Sequence, residues 1–505
     1  MDNRHYKKKV KGSKKRQVGV KLPIYFLSLV IVALLSFGAS RLLADQEEVP
    51  SFNGADETSD SPASMGAVEG AHNLEAVYEI ILNNYIEEVD EEDLVEGALQ
   101  GMVNAIEDPY SQYLNVQESE SLDESISASF EGIGAEIMSM NDQIIIVSPI
   151  KGSPAEKAGL LPNDVVLSAD GESLAGMTAT EAVNLIRGEK GTSVELEIQR
   201  GSQTFKVEIF RDTIPIETVT YEIDESNPEV GLIAVHSFAR PTYDEIVEAV
   251  TALRDQGAGK FIFDFRQNPG GLLDQAMMIG NMFVEDGEIL LQTEEKEGNP
   301  QPIYASDEEF GDFQITEPTV MLIDEGSASA SEIVAGVLQE AADIPLVGTT
   351  SFGKGTVQSI YPLTADSELK LTVAKWLTPE GNWIHDEGIK PDYEVELPEY
   401  AFLTIIDTTA EYKLGEVSEA VLNVEKMLEA MDYTVTADGY FDEATISSLE
   451  EFQAEESLPV TGELTEDTAV AMVNRLREVI EENDTQYQKA LEVIKELNGT
   501  NEKND

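Results

Sequence analysis

The spacing of apolar residues along this 505-residue chain changes several times, and each change marks a different kind of element. Leu22–Ser40 is 19 residues without a charge; as a helix it would span about 28 Å, close to a bilayer's hydrocarbon core. Residues 42–70 are acidic, rich in Ser, Gly and Pro, and aperiodic, which predicts a flexible linker. Helical spacing begins at Leu74 and runs through Val77, Ile80, Ile81, Leu94, Ala98, Met102 and Val103, predicting a helical region over 71–118. Short β-rich runs broken by Gly, Pro and Asn/Asp turns fill 119–212. Across 213–400 strands alternate with helices, as at Gly231–Val235, Tyr243–Arg254, Lys260–Phe265, Leu272–Phe283, Thr319–Ile323 and Ile333–Gln339. That alternation predicts an α/β core with a largely parallel sheet. Residues 411–478 turn helical and repeat a Gly-turn, Thr, helix unit, at Asp438–Gln453 and again at Thr461–Leu476. The polar residues 479–505 read as a frayed helix or tail.

Charge sharpens the picture at the amino end. Residues 1–21 carry nine basic residues and one acid, while the rest of the chain holds 24 basic against 96 acidic residues. A basic flank stays cytoplasmic, so the 22–41 segment reads as a transmembrane signal-anchor with everything after it outside. A cleaved signal peptide is the alternative, with small residues at Gly38-Ala39-Ser40 but Arg41 following at once. A net charge of −64 excludes a general nucleic-acid binder. With no Cys and only four His (His5, His72, His236, His385), disulfides, thiolate chemistry and a multi-histidine metal centre are excluded too, and no cofactor is expected.

Candidate chemistry sits in three stretches. In PTVMLIDEGSASASEIVAGVLQE (318–340) a β-branched run meets a small-residue turn and then a helix, which sets a serine over free helix-start amides. The plainer reading is a capping box, Ser329-x-x-Glu332. In SFGKGTVQSIYPL (351–363) Lys354 is the sole side chain charged at neutral pH from Thr349 to Ala365. A strand starting near Lys354 would put Lys354, Thr356 and Gln358 on one face. As a base, Lys354 needs a pKa lowered to roughly 7–8, which burial can supply; Phe352, Val357 and Ile360 are candidate walls. The plainer reading is a solvated loop lysine. In FIFDFRQNPGGLL (261–273) a strand ends in a Gly-Gly turn able to expose backbone N–H groups, or simply to turn the chain.

Taken together, the SASASE turn, the FGKGxxQ stretch 25 residues on and the upstream RQNPGG loop resemble the carboxyl-terminal processing (tail-specific) proteases, which use a Ser-Lys dyad. The resemblance implies a crotonase/ClpP-like α/β core with an inserted PDZ domain. It implies Ser329 as nucleophile, Lys354 as general base and Gln358 as the residue orienting Lys354. The oxyanion hole would come from the backbone N–H of Ala330 and of Gly270 or Gly271. Within the β-rich region, Phe130-Glu131-Gly132-Ile133-Gly134-Ala135, SPAEKAGLLPNDVVLSADGESL (153–174) and a helix over Glu181–Arg187 resemble a PDZ domain. Ile133, Gly134 and Ala135 would then hold a substrate's C-terminal carboxylate, although Glu131 stands where Gly is more usual. Arg187 is placed to couple this module to the active site. DGYFDEAT and TGELTEDT resemble a small peptidoglycan-binding domain, with Asp442 where Gly is common; Asp438, Thr445 and Thr468 alternatively only cap turns and helices.

These readings describe a membrane-anchored extracytoplasmic serine endopeptidase acting near protein C-termini. Its candidate partners are protein tails, peptidoglycan, the membrane and a second copy of the chain. Two rivals stay open: a non-catalytic scaffold binding tails and cell wall, and a Ser-His-Asp hydrolase using His385.

Overall fold

The structure is a computed structural model and describes residues 62–140, 142–364, 367–404, 406 and 412–497. The expected anchor at 22–41 and linker residues 42–61 lie outside the described residues; residues 62–70, expected as aperiodic linker, instead open the helix Pro62–Asn84. Among the described residues no helix is long and apolar enough to cross a membrane.

Two sheets carry the centre of the molecule. The first has six strands, in spatial order Val219–Ile223, Val230–Val235, Lys260–Asp264, Thr319–Ile323, Leu346–Gly348 and Tyr393–Glu394. All neighbours are parallel except the first pair. Its central strand, TVMLI, is buried at every position, so both faces need a cover. Period-2 geometry divides the side chains. Phe261, Phe263, Met321 and Ile323 face a core formed with the helices Thr242–Gln256, Leu273–Asn281 and Ala330–Gly336. Ile262, Val320, Leu322 and Val347 face the other way, onto Ala490, Val493 and Ile494 of the last helix, Thr485–Glu496. The expected polar tail is thus an ordered helix from 485 to 496, because a narrow apolar stripe in a polar sequence finds a sheet face left bare by the other helices.

The second sheet was not expected. It is antiparallel throughout and joins Gln112–Leu114, Glu368–Leu377, Ile289–Glu295 and Gln301–Tyr304, with Thr356–Pro362 also paired to Glu368–Leu377. The parallel sheet delivers Ser329, and the antiparallel one anchors the segment just after Lys354.

The β-rich module has six strands of its own between Ala135 and Phe210, a helix at Ala179–Ile186 and a separate core that includes Ile144, Ile146, Leu174, Val194 and Leu196. The helix starts two residues before the expected 181 and stops at 186, with Arg187 as its C-cap. A two-stranded ribbon, Ser129–Gly132 with Asp212–Pro215, joins the module to the rest. Helices Pro62–Asn84 and Glu91–Asn104 precede it. Near the carboxyl end, helices Glu419–Ala430, Glu443–Glu455 and Glu466–Glu482 surround Val421, Val424, Leu428, Phe441, Leu449, Phe452 and Met472. The internal echo has a structural basis here. Buried Glu425 accepts the N–H groups of Asp438 and Gly439 and the Thr445 hydroxyl. Buried Gln453 accepts those of Thr461 and Gly462 and donates to the hydroxyl of Thr468. Asp438, Thr445 and Thr468 therefore hold turns and helix starts.

Candidate active site

The first parallel sheet ends in two turns that lie against one another. After Asp264 the chain runs into Arg266–Gly271, and after Ile323 into Asp324–Ser329. Three serines lie in the second turn and the first residues of the helix after it, and the fold separates them. Ser327 Oγ donates to Phe265 O at 2.8 Å and Ser331 Oγ to Asn268 O at 2.8 Å, both fully buried. Each ties one turn to the other. Ser329 sits between them with φ 57° and ψ −110°, a left-handed backbone that a non-glycine residue adopts only under strain. Gly270, at φ 96°, fits against this turn because a Cβ there would lie 2.5 Å from Ala328 O and 2.8 Å from Ala330 N.

Of the candidate oxyanion donors, Gly270 N–H is engaged with Asn268 Oδ1 at 2.9 Å. The N–H groups of Gly271 and Ala330 donate to no backbone or side-chain acceptor among the described residues. Gly271, at φ 151°, tolerates no side chain, since its Cβ would lie 2.1 Å from Phe238 O. The geometry narrows the pair to Gly271 and Ala330.

Lys354 is 3% exposed. It lies between two glycines for a steric reason. A Cβ on Gly353 would meet the amides of 386–388 at about 3 Å, and one on Gly355 would meet Trp383 Nε1 at 2.8 Å. Lys354 Nζ lies over the Tyr110 ring, 5.0 Å from its centroid, and Trp376 Nε1 donates to Lys354 O at 2.8 Å. Burial pushes the Lys354 amine down to about 7; the nearby Lys370 cation adds to the fall, and Glu332 and Asp108 oppose it. The dry wall differs from the expected one. Val357 is part of the core, but Phe352 is 41% exposed, Ile360 packs on the cluster of Leu114, Leu122, Ile126 and Leu272, and the ring that faces the amine is Tyr110.

Glu332 joins the two halves of the site, a role its reading as a capping residue did not suggest. Its Oε2 accepts Ser329 N–H at 2.7 Å and Lys354 N–H at 2.8 Å; its Oε1 accepts Gly353 N–H at 2.7 Å and Ser351 Oγ–H at 2.6 Å. One buried carboxylate thus fixes the Ser329 turn against the Lys354 loop. Burial raises its pKa, and these four donors pull against that rise.

The strand expected to start at Lys354 starts at Thr356, with a bulge between Val357 and Gln358. Gln358 is buried; its Nε2 donates to Thr356 Oγ1 at 3.0 Å and Thr372 Oγ1 at 3.2 Å. Its Oε1 is buried with no partner among the described residues. No hydrogen bond joins Lys354 Nζ to Gln358 or to Ser329 Oγ among the described residues. His385 takes a different place. Its Nδ1 accepts Gly355 N–H at 3.3 Å and its ring stacks on Trp383, centroids 5.1 Å apart. His236 bonds Thr220 at 2.9 Å.

At the β-rich module, Gly134 has φ 71°, and a Cβ there would lie 2.5 Å from Ser153 Cβ. Ile133 O and Gly134 O are held by Ala155 N–H and Ser153 Oγ–H, both at 2.8 Å. The N–H groups of Ile133 and Gly134 have no acceptor among the described residues. They precede Ala135–Met140, an edge strand that starts at Ala135. Arg187 reaches out of the module to Glu124 at 3.1 Å and lies 4.6 Å over the Phe130 ring.

Comparison with known proteins places these features. Residues 229–395 match Peptidase family S41, 145–200 a PDZ domain, 417–472 a peptidoglycan binding domain, and 29–118 the N-terminal domain of the activating protease CtpB. The carboxy-terminal processing protease CtpA of Bacillus subtilis (strain 168) is 44% identical over 423 residues, covering 84% of this chain and 90% of that protein. A CtpA-like serine protease of Staphylococcus aureus (strain N315) is 36% identical over 423 residues, covering 84% of each. Among solved structures, a photosystem II D1 C-terminal processing protease is 27% identical with a TM-score of 0.38, covering 63% of this chain and 86% of that one.

Proposed function

The chain belongs to peptidase family S41, with the carboxy-terminal processing proteases, and we propose that it cleaves extracytoplasmic proteins near their C-termini through a Ser329–Lys354 dyad. The observation that carries the dyad is the sealed amine. Lys354 is buried, held down to about 7, and splinted to the Ser329 turn through Glu332.

Chemically, neutral Lys354 takes the Ser329 hydroxyl proton as Oγ attacks the scissile carbonyl. The resulting oxyanion is stabilised by the N–H groups of Ala330 and Gly271. Lys354 then gives its proton to the leaving amine, and water repeats the sequence on the acyl-enzyme. Hydrogen bonds of this kind tighten on substrate binding, and Gln358 Oε1 is the acceptor that aligns Nζ as it swings from Tyr110 toward Ser329. Ile133 and Gly134 amides receive the substrate's terminal carboxylate, and the preceding residues add beside Ala135–Met140. Arg187, through Glu124, signals occupancy to the core: the helix carrying Glu124 packs Leu122 and Ile126 on Leu272, next to Gly271.

Residues 22–41 anchor the enzyme in the membrane with the catalytic part outside, a reading supported by the charge reversal across an uncharged segment. The 417–472 module holds it near peptidoglycan. Substitution separates catalysis from scaffolding. Ser329→Ala and Lys354→Ala should each lower peptide hydrolysis by at least about 1000-fold, while His385→Asn, which keeps an acceptor for Gly355 N–H, should stay within a few fold. No hydrolysis by the wild type would return the chain to the scaffold reading, full hydrolysis by Ser329→Ala would move the chemistry to another nucleophile, and equal loss in His385→Asn would favour a histidine base.

A further inference from the structure

The loop that supplies Gly271 is held from outside the S41-matched region, by the start of the last helix. Arg266 opens the RQNPGG turn. Its guanidinium pairs with Asp264 at 2.6 Å on one side. On the other, Nη1 meets Asp484 Oδ2 at 2.7 Å and donates to Gln486 Oε1 at 3.0 Å. Both ends of this clasp are largely shielded, Arg266 and Asp484 being 16% exposed and Gln486 1%. Gln486 Nε2 also bonds Val395 O at 2.9 Å and Thr485 Oγ1 bonds Glu396 O at 2.6 Å, so the helix start grips the edge of the parallel sheet as well. Further along, Ala490, Val493 and Ile494 seal the sheet's second face.

A guanidinium fixed bidentately by Asp264 leaves one edge free. Asp484 and Gln486 fill that edge, so the position of Arg266 is determined by two parts of the chain about 220 residues apart. Asp324 holds the neighbouring Gln267 on its other side, at 2.8 Å to the backbone N–H and 2.7 Å to Nε2. The turn is thereby pinned at both residues that lead into Asn268 and Gly271.

We propose that Asp484 and Gln486 are positioning residues that act through Arg266 to set the oxyanion-binding turn, making the carboxyl-terminal helix a working part of the protease centre. The inference rests on the serine-protease reading above. It also gives the peptidoglycan-binding module two attachments to the core, one before Glu419 and one after Glu482.

The test uses the full chain with Asp484→Asn, Asp484→Glu and Tyr487→Phe. Asp484→Asn keeps an oxygen for the Tyr487 N–H cap, which Asp484 Oδ1 accepts at 2.8 Å, but removes the charge from Arg266. Tyr487→Phe removes the hydrogen bond to Asp224 from the same helix without touching Arg266. A displaced oxyanion turn predicts that Asp484→Asn lowers kcat by about 10- to 100-fold with KM nearly unchanged. A peptide aldehyde, which forms a tetrahedral adduct, should weaken by a similar factor. Tyr487→Phe should do neither, and Asp484→Glu should recover part of both losses. If Asp484→Asn and Tyr487→Phe both melt earlier yet keep wild-type kcat and aldehyde affinity, the helix is merely structural and the proposal is overturned. The same holds if Asp484→Asn fails to fold while Gln486→Met, which removes the acceptor for Arg266 at similar volume, folds with wild-type kcat and aldehyde affinity. Failure of the wild type to bind the aldehyde at Ser329 would instead remove the serine-protease reading.

Discussion

A lysine buried for chemistry is a lysine buried against stability. Lys354 titrates near 7 when folded and near its ordinary value of about 10.5 when unfolded. Below about pH 7 both states are protonated, and the native state bears the full penalty of a charge in a dry site. Between 7 and 10.5 the unfolded chain binds the extra proton, so stability from this group rises with pH. Lys354→Met should therefore be inactive yet more stable than the wild type, by several kcal/mol at and below pH 7. That advantage should shrink toward pH 10. Denaturant melts of the two proteins at several pH values measure the difference, and an advantage independent of pH would remove burial of a charge as its cause. Ser329, Lys354 and Gln358 could be offered as candidates from the sequence because their spacing is local. The sequence did not disclose Glu332 as a splint, since a capping-box glutamate and a buried carboxylate linking two loops look alike until the loops meet. Tyr110 was hidden for a similar reason: it reaches Lys354 from the turn just before Gln112–Leu114, a strand that pairs with Glu368–Leu377.

Among elements, the strand-to-turn junctions were the most legible and the sheet pairings the least. TVMLI followed by a small-residue turn specifies a buried strand and an abrupt exit, and both are found at Thr319–Ile323. Alternation of strands and helices described the sheet bearing Ser329, but nothing local distinguished the antiparallel strands near Lys354, whose partners are far away in sequence. The last helix was misread because its apolar residues, Ala490, Val493 and Ile494, are few; the strength lies in the sheet face they meet. The two glycine turns yield a sharp expectation. Gly270→Ala places a methyl group in collision with Ala328 O and Ala330 N and must move the nucleophile turn. Hydrolysis should fall by at least about 100-fold, and labelling of Ser329 by a fluorophosphonate should slow in step. Near-normal labelling would mean that the turns are looser than their hydrogen bonds imply.

For the molecule as a whole, the question is how a tail-reading module and a cutting site are joined. The contact is slender. A two-stranded ribbon and the Arg187–Glu124 pair connect them, and that pair is too exposed to hold the module firmly. Such a joint suits a module that moves when it is occupied. Excision of residues 131–212 should raise turnover of a short reporter peptide that needs no tail recognition, while lowering cleavage of a protein with a free C-terminus. Unchanged or lower reporter turnover would argue against gating. Domain order was legible because each region has its own period and turn chemistry, whereas the membrane segment is read from sequence alone.

The central claim is that a sealed amine serves as the base for Ser329. The pH dependence of Ser329 acylation by a fluorophosphonate probe tests it most directly. The rate should rise with a midpoint near 7 in the wild type and stay negligible from pH 5 to 9 in Lys354→Ala. A midpoint near 10, or labelling of Lys354→Ala at the wild-type rate, would contradict it.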